Sequence, residues 1–413
     1  MTELAREFRP LPSVDGYMLE LAAAGTTLTV ERLRRERGEL IGELSVACAL
    51  PGTRSPNGIL SVADFNLSSA RARTDRGKLL TERSQAPTLD WSGLLEELCQ
   101  YVIVAERTGQ PAVLLRDIPR PDVDDDDLEV DAGIRLLRRH PVTLFGDGGD
   151  AKSYIGLYWS TRLAAAGLRV GYADWEFAGE DHRDRLERLC GPDMPDLWYI
   201  RCERPLVAEV DRLRRIVREE RLDYLVCDSV AFASDGPPEA AEVAGAYFRA
   251  LRRIGVGSLH VAHTTKSADG DAKPFGSTFW HNGSRSTWYI KRGESTSSDR
   301  SRLTLGLFNR KSNVGPLAPA IGYAVTFGPE RTTFARVDLA DTPDLAERLP
   351  VWQRMAHLLR GGSLTMAAVA SELGVPVDTI AKTTRRGEGK VFVRVAGADG
   401  VYRIGLLDSR NVA

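Results

Sequence analysis

Lysine is scarce in this chain: of 55 basic residues only Lys78, Lys152, Lys266, Lys273, Lys291, Lys311, Lys382 and Lys390 are lysines. Each of these positions is therefore informative, because a compact ammonium and a planar guanidinium are not interchangeable. Cysteine is sparse too. Cys48, Cys99, Cys190, Cys202 and Cys227 are odd in number and form no Cys-x-x-Cys pair, which argues against a disulfide framework and against a zinc module. No apolar run approaches the roughly 20 residues of a membrane helix. Met1 to Pro10 carries Glu3, Arg6, Glu7 and Arg9 where a secretory signal would be apolar. A cytoplasmic protein without membrane contact is expected. A basic excess is also missing: 55 Lys and Arg stand against 57 Asp and Glu, a net charge of −2. That excludes a wholesale nucleic-acid binder and leaves room only for local DNA contacts.

The 413 residues, 43% hydrophobic and 27% charged, suit a globular chain of about three domains. The first, residues 1–116, reads as α+β. Leu40, Leu44, Val46, Cys48 and Leu50 alternate, Thr27 to Leu33 is β-branched, and Trp91, Leu94, Leu95, Leu98 and Val102 form one helical stripe. Residues 117–131, with Pro119, Pro121 and the run Asp124 to Asp127, read as an acidic linker. In residues 132–340, short apolar strands (Val142 to Phe145, Leu168 to Asp174, Leu197 to Cys202, Tyr224 to Asp228, Val256 to Ala262) alternate with helical stretches. Such alternation predicts an α/β fold with a mostly parallel sheet, its ligand beyond the carboxyl ends of the strands. Strands without helices follow from Thr287 to Val337. Residues 350–405 read as helix, helix, turn, helix and hairpin, the order of a winged helix.

The strongest motif is Gly146-Asp147-Gly148-Gly149-Asp150-Ala151-Lys152-Ser153, followed by Tyr154. It lies between an apolar strand and a helix and nearly matches the P-loop. There the backbone N–H groups close around phosphates, the lysine reaches the β- and γ-phosphates, and the hydroxyl, here that of Ser153, holds Mg²⁺. Ala151 stands where the motif has its second glycine, and alanine dislikes positive φ. Asp150 brings a carboxylate close to the polyanion. Asp228 closes the strand Tyr224 to Asp228, an arrangement that holds Mg²⁺ in P-loop proteins. Glu176, just past the strand ending at Asp174, is the candidate base for the attacking water; Asp174 is the candidate for a structural role. His260 and His263 lie three apart, a spacing that puts their rings on opposite faces of a strand and argues against a metal pair.

This series, with Val261-Ala262-His263-Thr264-Thr265-Lys266 closing another strand, resembles the RecA-type ATPase core over about residues 135 to 340. In particular it resembles the branch of RepA-type hexameric helicases and related phage and bacterial AAA-domain ATPases, relatives of DnaB. The resemblance implies ATP and Mg²⁺ as ligands, a ring or filament of about six copies, and work on DNA. Residue by residue it assigns the triphosphate and metal to Lys152, Ser153 and Asp228, the water to Glu176, and a sensor role to His263. It also implies a cation reaching a neighbour's γ-phosphate. Arg285, Lys291, Arg292 and Lys311 are candidates, Lys311 because Asn309-Arg310-Lys311-Ser312-Asn313 looks like the family's Lys-x-Asn segment.

DNA contacts are expected, with single-stranded DNA the expected partner, from Lys266, Lys273 and Phe275, a cation and aromatic set suited to backbone and base stacking. A second group is Lys382, Arg385, Arg386 and Lys390, in a stretch from 351 to 413 with nine basic and five acidic residues. The expected function is an ATP-driven helicase or translocase in replication, recombination or repair. The alternative is a nucleotide-gated DNA-binding or loading protein with slow or no hydrolysis, favoured by Ala151 and Asp150. For residues 1–116 the remaining expectation is recruitment of a replication or repair partner.

Overall fold

The computed structural model describes residues 5–11, 15–53, 56–109, 111–120, 126–264, 278–294, 301–397 and 400–407. Its contacts divide the chain into two compact units, residues 1–122 with 209–221 and residues 123–208 with 222–413.

The first unit holds an antiparallel sheet of five strands in sequence order: β1 (Glu7–Pro10), β2 (Tyr17–Leu21), β3 (Thr26–Glu36), β4 (Glu39–Cys48) and β5 (Ile59–Asn66). In β4 the residues Leu40, Leu44, Val46 and Cys48 turn inward while their neighbours stay partly solvated, the alternation of a sheet with one covered face. Two helices cover it, α1 (Ala70–Ser84) and α2 (Trp91–Thr108). Ser69 caps the first by accepting from the Ala72 N–H, Asp90 the second by accepting from Gly93. The stripe Trp91, Leu94, Leu95, Leu98 and Val102 packs into the same core as Leu19, Leu28, Leu44 and Phe65. Where a strand pair was read from the sequence, five strands form.

The second unit opens with the hairpin β6 (Asp127–Asp131) and β7 (Ile134–Leu137). The expected linker thus ends early, at its acidic run. Leu128 and Val130 alternate with Asp127, Glu129 and Asp131, and both apolar side chains enter the core of the second unit. Along the chain follow β8 (Pro141–Gly146), α3 (Lys152–Ala165), β9 (Val170–Asp174), α4 (Gly179–Cys190), β10 (Leu197–Arg201), α5 (Leu206–Glu219), β11 (Tyr224–Asp228), the short α6 (Val230–Ala233), α7 (Ala241–Ile254) and β12 (Gly257–His263). Next come α8 (Thr278–Gly283), β13 (Ser286–Arg292), β14 (Arg302–Ser312), β15 (Ile321–Phe327) and β16 (Thr332–Val337).

These strands make one nine-stranded sheet, ordered β10-β9-β11-β12-β8-β13-β14-β15-β16. The first six run parallel and the last three are added antiparallel. The fold is therefore α/β around a large, mostly parallel sheet. Its central strands are covered on both faces, which is why Val142 to Phe145 and Tyr224 to Cys227 are continuous buried runs rather than alternating ones. No helix among the described residues is long and apolar enough to cross a membrane.

His260 is a core residue. It is buried on β12, its Nδ1 paired with the Tyr247 hydroxyl at 2.9 Å and its Nε2 with Ser258 Oγ at 2.8 Å. Burial lowers its pKa from 6.5 to about 3. As pH falls below 6.5 the unfolded chain takes up this proton before the native one does, so native stability is lost, by about 1.4 kcal/mol per pH unit. The stability difference between wild type and His260→Asn, from urea unfolding, is expected to shrink by about 2 kcal/mol between pH 7 and pH 5.

The chain ends in α9 (Pro343–Ala346), α10 (Val351–Leu358), α11 (Met366–Leu373), α12 (Val377–Gly387) and the hairpin β17 (Phe392–Ala396) and β18 (Tyr402–Leu406). The last three helices and the hairpin share a small core of Met355, Leu359, Val369, Ile380, Phe392 and Ile404.

Candidate active site at the carboxyl edge of the sheet

Parallel register aligns the carboxyl ends of four central strands. Asp228 lies opposite Asp174, and His263 opposite Gly146. The loop 146–151 leaves β8 at this edge. Gly146 is required there, because a Cβ would come within 2.5 Å of Ile290 Cγ2 and 2.6 Å of the Ile290 carbonyl. Gly149 has φ 81°, and Ala151, at the N-cap of α3, has φ 56° and ψ 29°. Alanine therefore occupies the left-handed conformation that glycine adopts at no steric cost, a strain of about 1–2 kcal/mol. No side chain caps α3, so its first-turn N–H groups and the positive end of its dipole face the loop.

Charge is concentrated here. Lys152, nine-tenths buried, donates from Nζ to the Asp147 carbonyl at 2.7 Å; burial lowers its pKa, against the pull of Asp150, Asp228, Asp147 and Glu176. Asp150, also buried, accepts from the Asp147 N–H at 3.0 Å, and burial raises its pKa. The Asp147 carboxylate takes the Thr264 hydroxyl on Oδ1 and Lys291 Nζ, 3.2 Å away, on Oδ2. The Thr264 hydroxyl and then Lys291 hold it below the ordinary carboxylate value. Lys291, expected to serve a neighbouring copy, instead reaches the loop of its own chain, because β13 pairs directly with β8.

Asp228 is fully buried. Its Oδ2 accepts from the Tyr172 hydroxyl at 2.7 Å, and its Oδ1 has no hydrogen-bond partner. Burial raises its pKa, which the Tyr172 and Ser153 hydroxyls bring partly back. An orphaned carboxylate oxygen beside the Ser153 hydroxyl is a donor set that fits a hard divalent cation such as Mg²⁺.

Asp174 has the structural role. Its Oδ1 accepts from the N–H groups of Glu176 (3.0 Å) and Phe177 (3.1 Å), and its Oδ2 from the Tyr199 hydroxyl (3.0 Å). His182 Nε2 lies 3.5 Å from the same oxygen. Burial alone would raise its pKa, but His182 and the two N–H groups lower it. Asp174 thus holds the turn from which Glu176, exposed, faces an open cleft shared with Phe177, Tyr199 and Arg201. Glu176 is close enough to Lys152, His263 and Asp228 to shift their titration. Burial, then the charge of Lys152, lowers the pKa of His263, so its ring is neutral at pH 7.

Gly146 to Ser153, Glu176, Asp228 and His263 are thus brought together; other expected residues are not. The Tyr154 ring is packed edge-on to Phe327 and under the Arg185 guanidinium, which leaves only its backbone to the loop. The N–H of Arg285 donates to the Pro141 carbonyl, at the opposite end of β8. Five strand residues, about 17 Å, separate it from the loop. Lys311 pairs with Thr287 on the lower half of β13. Its ammonium caps the end of α8 through the carbonyls of His281 (2.9 Å), Asn282 (3.0 Å) and Ser284 (2.7 Å). A structural cap has replaced the expected free cation, since exposed carbonyls at a helix end attract a cation.

Lys266, Lys273 and Phe275 lie outside the described residues. Lys382, Arg385 and Arg386 share one exposed face of α12, with Lys390 in the turn beyond. Sequence reasoning missed the supporting groups Tyr172, His182, Tyr199 and Thr264. Tyr172 was visible two residues before Asp174, but nothing in the sequence ties it to Asp228.

No protein-family model matches the sequence, and no curated protein matches it. Among solved structures, the chain is similar to a KaiC-like protein from the hyperthermophilic archaeon Pyrococcus horikoshii OT3, with 15% identity and a TM-score of 0.39, over 52% of this chain and 95% of that one. It is also similar to the ATPase domain of a DnaB-like helicase, with 11% identity and a TM-score of 0.39, over 48% of this chain and 85% of that domain.

Proposed function

We propose that the chain is an ATP hydrolase that works as an oligomer on DNA, as a helicase or translocase in replication, recombination or repair. The observation that carries this reading is the meeting, at one sheet edge, of a glycine-bearing loop, a buried lysine, an orphaned carboxylate and a held glutamate. The loop N–H groups and Lys152 take the phosphates. Ser153 and Asp228 hold Mg²⁺, which when bound supplies charge compensation to the phosphate oxygens. Glu176 orients the water and accepts its proton as it attacks the γ-phosphorus, while neutral His263 offers a ring nitrogen to the same region.

Arg285 is too far from its own loop to act there, so a role at a triphosphate places it on another copy of the chain, the trans-acting arrangement of an oligomer. The exposed cations of α12 and Lys390 support DNA contact, in the manner of a winged helix meeting the phosphate backbone. Turnover of ATP by the full chain, with and without single-stranded DNA, tests the motor: stimulation is expected, and a rate that DNA leaves unchanged contradicts it.

A second reading, a slow nucleotide-gated switch, is favoured by the strained Ala151 and by Lys152 being bonded to its own loop. Ala151→Gly removes about 1–2 kcal/mol of strain. If the loop is built to be slow, turnover rises roughly tenfold, since 1.4 kcal/mol is a factor of ten. An unchanged rate leaves the motor as the sole reading.

A further inference from the structure

We propose that Lys291 is the residue by which this chain distinguishes a nucleoside triphosphate from a diphosphate, and that Asp147 holds it in reserve while the loop is empty of nucleotide. The inference rests on the nucleotide-binding reading above and adds a cation from the chain's own sheet to it.

The geometry is specific. Tyr289 pairs with Phe145 across β13 and β8, so Lys291, two residues further, is level with the loop and projects from a strand rather than from the loop itself. Its Nζ is 3.2 Å from Asp147 Oδ2, while Lys152 Nζ is 2.7 Å from the carbonyl of the same residue. Both ammonium groups therefore converge on Asp147, whose carboxylate stands as an internal anion between the strand and the positive end of α3. Thr264 fixes its other oxygen, and the Thr264 N–H is tied to the Gly146 carbonyl at 3.2 Å.

Charge decides what this arrangement can do. Asp147 and Asp150 balance Lys152 and Lys291, so the loop has no surplus positive charge for a polyanion until one carboxylate gives up its partner. The two groups of the Lys291 pair are 29% and 47% exposed, a solvated pair of the weak kind. A phosphate oxygen can outcompete the carboxylate, because it brings more charge and several acceptors. The backbone cradle and Lys152 serve the phosphates that any nucleotide brings. Lys291 leaves Asp147 only for one more anion, the γ-phosphate.

The test measures the affinity of the full chain for a non-hydrolysable, fluorescent ATP analogue and for the matching ADP, both with Mg²⁺. The variants are Lys291→Gln, Lys291→Arg and Asp147→Asn, each checked for unchanged thermal unfolding without nucleotide. Lys291→Gln is expected to weaken triphosphate binding roughly tenfold, the loss of one charge-assisted hydrogen bond, and diphosphate binding less than about twofold. Lys291→Arg is expected to keep most of the preference, and Asp147→Asn to strengthen triphosphate binding several-fold (about 3- to 5-fold) by releasing the lysine.

Equal losses for both nucleotides in Lys291→Gln, or weaker triphosphate binding in Asp147→Asn, overturn the proposal. Should Lys291→Gln not fold, Asp147→Asn and Lys291→Arg decide it alone. Wild type binding neither nucleotide overturns the hydrolase reading and this inference with it. Wild type binding both, with a triphosphate preference that Lys291→Gln leaves intact, overturns the inference alone.

Discussion

Glu176→Gln is expected to leave ATP binding within about twofold of wild type and to slow hydrolysis by roughly 10² to 10⁴, the range for loss of a general base. The substitution keeps the size of the side chain and removes only its capacity to take a proton. It leaves untouched the hydrogen bond from the Glu176 N–H to Asp174 that fixes the turn. Asp174 is no substitute, because it is fully buried and its Oδ1 and Oδ2 are both engaged by hydrogen-bond donors. Single-turnover hydrolysis beside an equilibrium binding titration separates the two effects. Hydrolysis at the wild-type rate would place the base elsewhere.

Lys152→Ala is expected to abolish measurable turnover and to weaken triphosphate binding by roughly 10²-fold, as removal of a buried cation aimed at a polyanion should. The same substitution is expected not to lower, and to raise slightly, the thermal stability of the nucleotide-free protein. Burial lowers the lysine pKa. Below pH 10.5 the unfolded chain binds this proton more readily than the native one, so at pH 7 the charged lysine costs native stability. A site that pays in stability for its chemistry shows this opposition. Thermal unfolding without nucleotide, compared with turnover, checks it: a large drop in unfolding temperature would make Lys152 a structural residue instead.

Local pattern accounts for what the sequence revealed. Val142 to Phe145 and Tyr224 to Cys227 are buried on both faces and read as apolar runs, and the loop between β8 and α3 announces itself through Gly146, Gly148 and Gly149. Asp228 and Glu176 follow because a parallel sheet sends the ends of its strands to one edge.

What escaped the reading depends on contacts far apart in sequence. The pairing of β13 with β8, which delivers Lys291 to Asp147 from 144 residues away, is not encoded in either segment alone. Nor is the capture of Lys311 by the carbonyls of α8, a helix too short to show a periodicity. The acidic stretch at 127–131 misled because its charges outweigh two core residues, Leu128 and Val130, in any compositional reading. Ala151 was legible as a departure from the glycine of the motif; its left-handed backbone shows where that departure costs energy.

The central claim is that the carboxyl edge of the sheet binds and hydrolyses ATP with Mg²⁺. The most direct measurement is phosphate release from ATP by the full chain, with Mg²⁺ and with a chelator, beside Lys152→Ala under the same conditions. Release that requires Mg²⁺ and disappears in Lys152→Ala is the expected result. Release that persists in Lys152→Ala, or no binding of ATP by the wild type at any accessible concentration, would contradict it.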